Sequence, residues 1–396
     1  MNYILFDSAN RPNLLPLVFT RPVADLRFGI LTIREKWEKY LGVKTSSLTE
    51  SYLQIKFPLV ESDENILING SICPNKPLVV EISNLKSGYS LVKNDTVIAM
   101  CLSKNELKLM SDPDSDFECS TVETTVEYDK IEHPWDLFML NEKAINDDFK
   151  LITNGRKSQV LSATNRTINP ENIFVEEGAI VEFAILNASK GPIYIGKDSE
   201  VMEGAKIRGP FAMCEHSILK MDVKIYGPTT IGPYSKVGGE INSSVIFGYT
   251  NKAHDGFLGH SVIGEWCNIG ADTNTSNLKN TYEEVKLWSY LDESFVSTGT
   301  QFCGTIMGDH SKCGINTMFN TGTVVGVNVN VYGSGYQRNF IPSFTWGGTQ
   351  GFADFDLKKA VKIAEAVFSR RSKVFGKMDK DILLEIYNLT HNNRRA

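Results

Sequence analysis

The sequence predicts an α/β domain followed by a parallel β-helix of hexapeptide units, with helices after it. The first observation is a period. Ile195, Val201, Ile207, Met213, Leu219, Ile225, Ile231 and Val237 fall six residues apart, and Met307, Cys313, Phe319, Val325 and Val331 keep the same step. Six is neither the 3.6 of a helix nor the 2 of an ordinary strand. It is the period of a β-helix in which each unit forms one flat side of a coil. The second observation is what surrounds those positions. Ser199, Ala205, Ser217, Thr229, Ser235, Thr305, Ser311, Thr317 and Thr323 stand two residues before them, and Gly196, Gly232, Gly308, Gly314 and Gly326 follow directly. A large aliphatic fills the prism, a small residue lets the chain round the corner, and glycine relieves the turn. Thirteen positions in register make chance alternation remote. The third observation is composition: 25 of the 31 glycines lie between Gly178 and Gly351, so the chain changes character where the period begins.

The N-terminal elements follow from local pattern. Tyr3 to Phe6 reads as a short apolar strand, as do Asn65 to Asn69, Leu78 to Ile82 and Thr96 to Cys101. Leu31 to Leu41 has helical spacing and ends at Gly42, a C-cap. Trp135 to Ile145, after Pro134, is an amphipathic helix that closes the domain. The repeat runs from about Ile173 to Gly335 with interruptions at 242–258 and 274–293, and loops leaving a solenoid are where binding groups sit. Leu357, Val361, Ala364 and Phe368 share one apolar helix face, which would cap the open end of the coil. The resulting division is 1–155, 165–350 and 355–396.

Composition excludes several classes. A net charge of −6 argues against nucleic acid as the main partner. No apolar run reaches bilayer length, and Met1 to Asp7 lacks a signal-peptide layout. Seven scattered cysteines without CxxC pairs read as free thiols in a reducing compartment, hence a cytoplasmic protein outside the membrane.

Thr250 to Leu278 carries a specific motif: Lys252, Ala253, His254, Phe257, Leu258, Gly259, Val262, Ile263, Gly264, Asn268, Ile269, Gly270, Ala271, Asp272, Thr273 and Asn277, with Gly209-Pro210-Phe211-Ala212 upstream. This stretch resembles the acetyltransferase domain of the bifunctional N-acetylglucosamine-1-phosphate uridylyltransferase / glucosamine-1-phosphate acetyltransferase family. It is closer still to related sugar-nucleotide proteins of archaea and Bacteroidetes, where the Val237 to Glu240 turn recurs. The resemblance implies a left-handed β-helix, a homotrimer with its active site between neighbouring prisms, and acetyl-CoA-dependent acylation of an amino-sugar phosphate. It implies His254 as general base, since a side chain titrating near neutrality suits removal of an amine proton. By the same resemblance Asn268 and Asn277 hold sugar hydroxyls and phosphate, and Lys286 pairs with the sugar phosphate. Ala271 and Thr298 let backbone groups reach the pantetheine arm. On residue chemistry alone, asparagines in such turns equally form structural ladders. His260 and His310 match no motif and read as surface histidines.

The chain also departs from the family pattern. The glycine before the histidine is absent, the tyrosine near the substrate is Phe257, and the second tyrosine is Leu278. Asp272 replaces a glycine, and Met213, Cys214 and Glu215 replace basic residues. The N-terminal domain resembles the family's nucleotidylyltransferase half through Arg11, Leu15-Pro16-Leu17, Thr20-Arg21-Pro22, Gly29-Ile30, Ile66 to Gly70 and His133-Pro134-Trp135-Asp136. Yet the loop Asp7 to Pro12 has no glycine for close approach to a phosphate chain, and Ser71 stands where the family has a magnesium-binding aspartate. Arg11 and Arg21, with Asp25 and Arg27, remain candidates for contact with a sugar phosphate or NTP, and Asp7 for Mg²⁺. The expected function is a transferase of sugar-nucleotide metabolism. The competing one is a non-catalytic sugar-nucleotide-binding or scaffold protein with degenerate sites.

Overall fold

The structure, a computed structural model, describes residues 2–110 and 117–395. The chain divides into two compact units. One comprises Met1–Leu14, Arg21–Leu26 and Leu31–Glu132, the other Leu15–Thr20, Arg27–Ile30 and His133–Ala396.

The first unit is a six-stranded sheet made of β1 (Asn2–Phe6), β2 (Ser46–Leu48), β3 (Glu64–Asn69), β4 (Tyr89–Lys93), β5 (Thr96–Ser103) and β6 (Ser120–Glu123). Their order is β2-β1-β3-β5-β4-β6, with β1 parallel to both neighbours and β5 antiparallel to both of its own. The helices are α1 (Ile33–Leu41), α2 (Ser51–Gln54), α3 (Lys76–Ser83) and α4 (Lys104–Met110). The start of α1 is a capping box: the Thr32 hydroxyl accepts from the Glu35 N–H while Glu35 accepts from the Thr32 N–H. Gly42 ends it in the left-handed region at φ 71°. Residues 78–82, expected as a strand, form most of α3 instead. Asn75 caps its first turn by accepting from the Leu78 N–H, Pro77 stands in that turn, and Leu78 and Ile82 are buried while Val80 between them is 60% exposed. That i, i+4 burial is helical.

The helix expected over 135–145 is two helices, α5 (Asp136–Met139) and α6 (Asn141–Thr153). By compactness both fall in the second unit. Two side chains of α6 explain this. Asn141 accepts the Gly29 N–H at 2.6 Å and Asp148 accepts the Ile30 N–H at 2.8 Å, while the Thr230 hydroxyl donates to the Gly29 carbonyl. In the same unit the Thr20 hydroxyl donates to Asp309.

The rest of the second unit is a parallel solenoid whose three long sheets have six, nine and ten strands. Met213 pairs with Ile231, eighteen residues on, so three hexapeptides make one coil. All thirteen six-fold positions are buried and form one continuous core. The coil is unbroken across 242–258, where an interruption was expected: Val245–Ile246 and Asn251–Lys252 pair with the coils on either side. The phase slips by three residues there: the corner Gly238–Gly239 is two residues long where the corner a coil earlier, 220–223, has four, and one more residue is lost at the next corner. The true excursion leaves after Thr275 and returns at Thr305, longer than the expected 274–293, and holds an antiparallel hairpin, Lys286–Ser289 with Ser294–Ser297.

Helices α7 (Leu357–Ser369) and α8 (Lys377–Leu389) follow. They do more than cap an end. Phe368 of α7 stacks on Trp266 at 3.8 Å, extending a column of corner aromatics formed by His216, Tyr234 and Tyr249, while Tyr387 of α8 meets Phe344 of the last coils. Among the described residues no helix is long and apolar enough to cross a membrane.

The columns inside the prism make a direct prediction. Leu219→Ala, which truncates a fully buried side chain with a neighbour above and below, should cost about 2–5 kcal/mol of stability in denaturant unfolding. Ile218→Ala beside it, on a strand position facing outward, should cost less than about 1 kcal/mol.

Candidate functional site

His254 is exposed on the corner loop 253–256 between the strands Asn251–Lys252 and Phe257–Gly259. Its surroundings hold the backbone still from three directions. Beneath it, a Cβ on Gly238 would lie 2.4 Å from the Ala253 carbonyl, and one on Gly239 would lie 3.0 Å from that of His254, so the loop rests directly on bare glycine backbone. Above it, the Asp272 N–H donates to the Asp255 carbonyl at 3.0 Å. From within, the Lys252 ammonium donates to the carbonyls of His254 (2.6 Å) and Asp255 (3.1 Å). Burial lowers the Lys252 pKa to about 8, against the opposing pull of Asp255, Cys313 and Asp272. Gly256, at φ 112°, lies so close to Thr273 that a Cβ would meet the Thr273 carbonyl at 2.2 Å. Asp255 and Asp272 are both exposed beside His254, which makes this corner acidic.

The other sequence-predicted residues are distributed along neighbouring coils. Asn268 is exposed and accepts from the Asn251 side chain at 3.0 Å, a rung of an asparagine ladder. Asn277 lies at the far end of the strand Phe257–Gly259, where the absence of a side chain on Gly259 admits its amide. That amide donates to His260 Nδ1 at 2.9 Å. An amide nitrogen only donates, so Nδ1 accepts and the imidazole proton sits on Nε2. His260 is therefore not the surface histidine expected from sequence. Phe138 meets its ring edge-on at 5.8 Å, Phe302 stacks on it at 5.1 Å, and burial lowers its pKa to about 4. No motif marked it, and its partners come from α5 and the excursion.

Lys286 is exposed on the excursion hairpin. Ala271, at the next corner, offers only a methyl group, and its carbonyl accepts the Asn316 N–H. Thr298 donates both its N–H and its hydroxyl to the Val285 carbonyl.

In the N-terminal unit the expected phosphate and metal ligands are engaged internally. Asp7 accepts from the Val23 N–H (2.8 Å), Arg11 Nε (3.0 Å) and the Thr49 hydroxyl (2.5 Å), and burial raises its pKa despite those partners. Arg11 is buried, donates also to the Tyr52 hydroxyl and stands 3.8 Å from Glu50. Arg21 is buried as well. Asp7 therefore does not fit as a Mg²⁺ ligand, and Arg11 reads as a loop brace. Among the described residues no three His, Cys, Asp or Glu side chains cluster as metal ligands do.

Residues 3–157 match the model of the family described as sugar nucleotidyl transferase. The bifunctional sugar-1-phosphate nucleotidylyltransferase/acetyltransferase of Sulfurisphaera tokodaii is 28% identical over 145 residues, 36% of this chain and 36% of the relative. The bifunctional protein GlmU of Methanococcus maripaludis is 27% identical over 207 residues, 52% of this chain and 44% of the relative. The chain thus spans less than half the length of these curated relatives. Among solved structures, an Arabidopsis UDP-N-acetylglucosamine acyltransferase is similar at 12% identity and a TM-score of 0.23, covering 59% of this chain and 94% of that one.

The half-buried His260 generates a pH prediction. Its folded-state pKa of about 4 lies below the ordinary 6.5, so between those values the unfolded chain binds a proton that the folded chain refuses. Stability should fall on acidification through that window, by on the order of 2 kcal/mol. His260→Leu should show a flatter stability profile between pH 6.5 and 4, read by denaturant unfolding at each pH. An unchanged slope would mean His260 is solvated.

Proposed function

We propose that this chain is a transferase of sugar-nucleotide metabolism, acting at the solenoid corner that carries His254 as an acetyl-CoA-dependent acyltransferase on an amino-sugar phosphate. The observation that carries this reading is an exposed imidazole on a loop whose backbone is held from below, within and above. General-base catalysis needs such a fixed group at the reacting atom. Bound acetyl-CoA supplies a thioester-activated acyl group. His254 takes the proton that the acceptor amine loses as its nitrogen bonds to the acyl carbon, and CoA leaves as the thiol or thiolate. The neighbouring Asp255 and Asp272 carboxylates repel the acceptor's phosphate, which suits Lys286 as the phosphate partner.

His254 and Asn277 lie at opposite ends of the strand Phe257–Gly259, whose three residues span on the order of 10 Å at strand rise. One sugar ring is shorter than that. A groove between two copies, with the residues drawn from neighbouring prisms, accommodates this separation and supports a homotrimer. The seven free cysteines, six of them buried, support a reducing, cytoplasmic setting.

A second reading concerns the N-terminal unit alone. The closed network of Asp7, Arg11 and Thr49 favours sugar-nucleotide binding without nucleotidyl transfer there, so no magnesium-dependent step is derived for it.

His254→Ala should fold as the parent does, because the side chain is exposed, and should lower CoA release with amino-sugar phosphates at least ~100-fold. No CoA release from the parent with any acceptor, with sugar phosphates or NTPs still bound, would overturn the acyltransferase reading in favour of the binding role.

A further inference from the structure

Lys252 occupies a position built for an aliphatic. In the register of the coil it continues the column Val201, Leu219 and Val237, all buried, and it is itself 1% exposed. Removing an ammonium from water is costly unless polar groups replace the water, and an aliphatic would fill the column without that cost. The side chain remains inside the prism, and both of its hydrogen bonds go to main-chain carbonyls of the two residues at the tip of its own corner, His254 and Asp255.

The adjacent column explains why the lysine can reach them. Ala205 and Val223 fill it in earlier coils, and by register Gly239 and Gly256 follow. Those glycines bring no side chain to the space beside Lys252. They also let loop 253–256 settle onto the coil beneath, as the close approach of Gly238 and Gly239 to the carbonyls of Ala253 and His254 requires.

We propose that Lys252 is a positioning residue for the His254 corner, an internal strut whose ammonium fixes the peptide carbonyls on either side of Asp255 so that the His254 imidazole is presented outward in one orientation. This rests on the reading of His254 as general base for its kinetic consequence, but not for its structural one. The strut acts through the backbone and never meets substrate. The amine form keeps two N–H donors for two carbonyls, so the geometry outlasts deprotonation.

Lys252→Met tests this, since methionine is apolar, flexible and able to fill the column. Two main-chain amides report the loop position directly. The Asp272 N–H donates to the Asp255 carbonyl, and the Glu240 N–H donates to that of Gly256. Hydrogen–deuterium exchange of the full chain should show the Asp272 and Glu240 amides exchanging at least ~10-fold faster in the variant. The Phe247 amide, bonded to Ile263 within the same coils, should be unchanged. In acyl transfer, kcat should fall about 100-fold with KM for both substrates within about 2-fold, because displacing a catalytic group by about an ångström costs that much. Gly239→Ala, which pushes on the same loop from beneath while keeping the lysine, should reproduce the kcat loss.

Unchanged exchange at Asp272 and Glu240 overturns the strut whatever the kinetics. Loss of protection throughout the solenoid, Phe247 included, overturns it too, because Lys252 would then be a general core residue. Local loosening in a parent protein that shows no acyl transfer upholds the strut and sinks only the assignment of His254.

Discussion

Inside the prism each flat side of a coil has room for one side chain, and that restriction governs the solenoid. Parallel ladders set successive coils about 4.8 Å apart, so every inward side chain rests on the one beneath and supports the one above. Val201, Leu219 and Val237 share one buried column, in which a polar side chain needs partners supplied by the protein itself. The same geometry supplies corners of great regularity, each a short loop anchored at both ends by a strand.

Function on such a scaffold is a matter of how a corner is held. At residues 253–256 the ordinary interior is altered in two ways together, glycine where earlier coils have alanine or valine, and lysine where they have an aliphatic. Each alteration alone would weaken the core, one by lost packing and the other by a buried charge. Together they let the charge satisfy the loop's own carbonyls while the glycines admit the loop. The corner around Asn277 and His260 is built differently, by aromatic faces from α5 and the excursion closing over a neutral imidazole.

The N-terminal segment shows how family likeness and physical grouping diverge. The likeness to sugar nucleotidyl transferases runs through residue 157, whereas compactness assigns Arg27–Ile30 and everything after Glu132 to the other unit. The cause is a few buried hydrogen bonds, Asn141 and Asp148 taking the main-chain N–H groups of Gly29 and Ile30. Such bonds are expensive to leave unmade, so they decide which unit the segment joins.

What the sequence by itself determined is whatever a few adjacent residues settle. The six-fold period placed thirteen buried positions of the solenoid core, because each repeat buries its own residue in the same way. Gly42 marked the C-terminal end of α1 because capping is a contact between near neighbours. Residues 78–82 were misread because a short apolar run suits strand or helix alike, and Asn75 and Pro77 just upstream decide. His254 was singled out as a candidate by its motif. Only the tertiary structure decided that Lys252 points inward, that Thr298 donates to Val285, that Asp7 is closed by Arg11 and Thr49, and that His260 is enclosed by Phe138 and Phe302. Whether a polar side chain meets a ligand or a buried backbone group depends on which distant residues the fold brings to it, and local pattern carries no record of those partners.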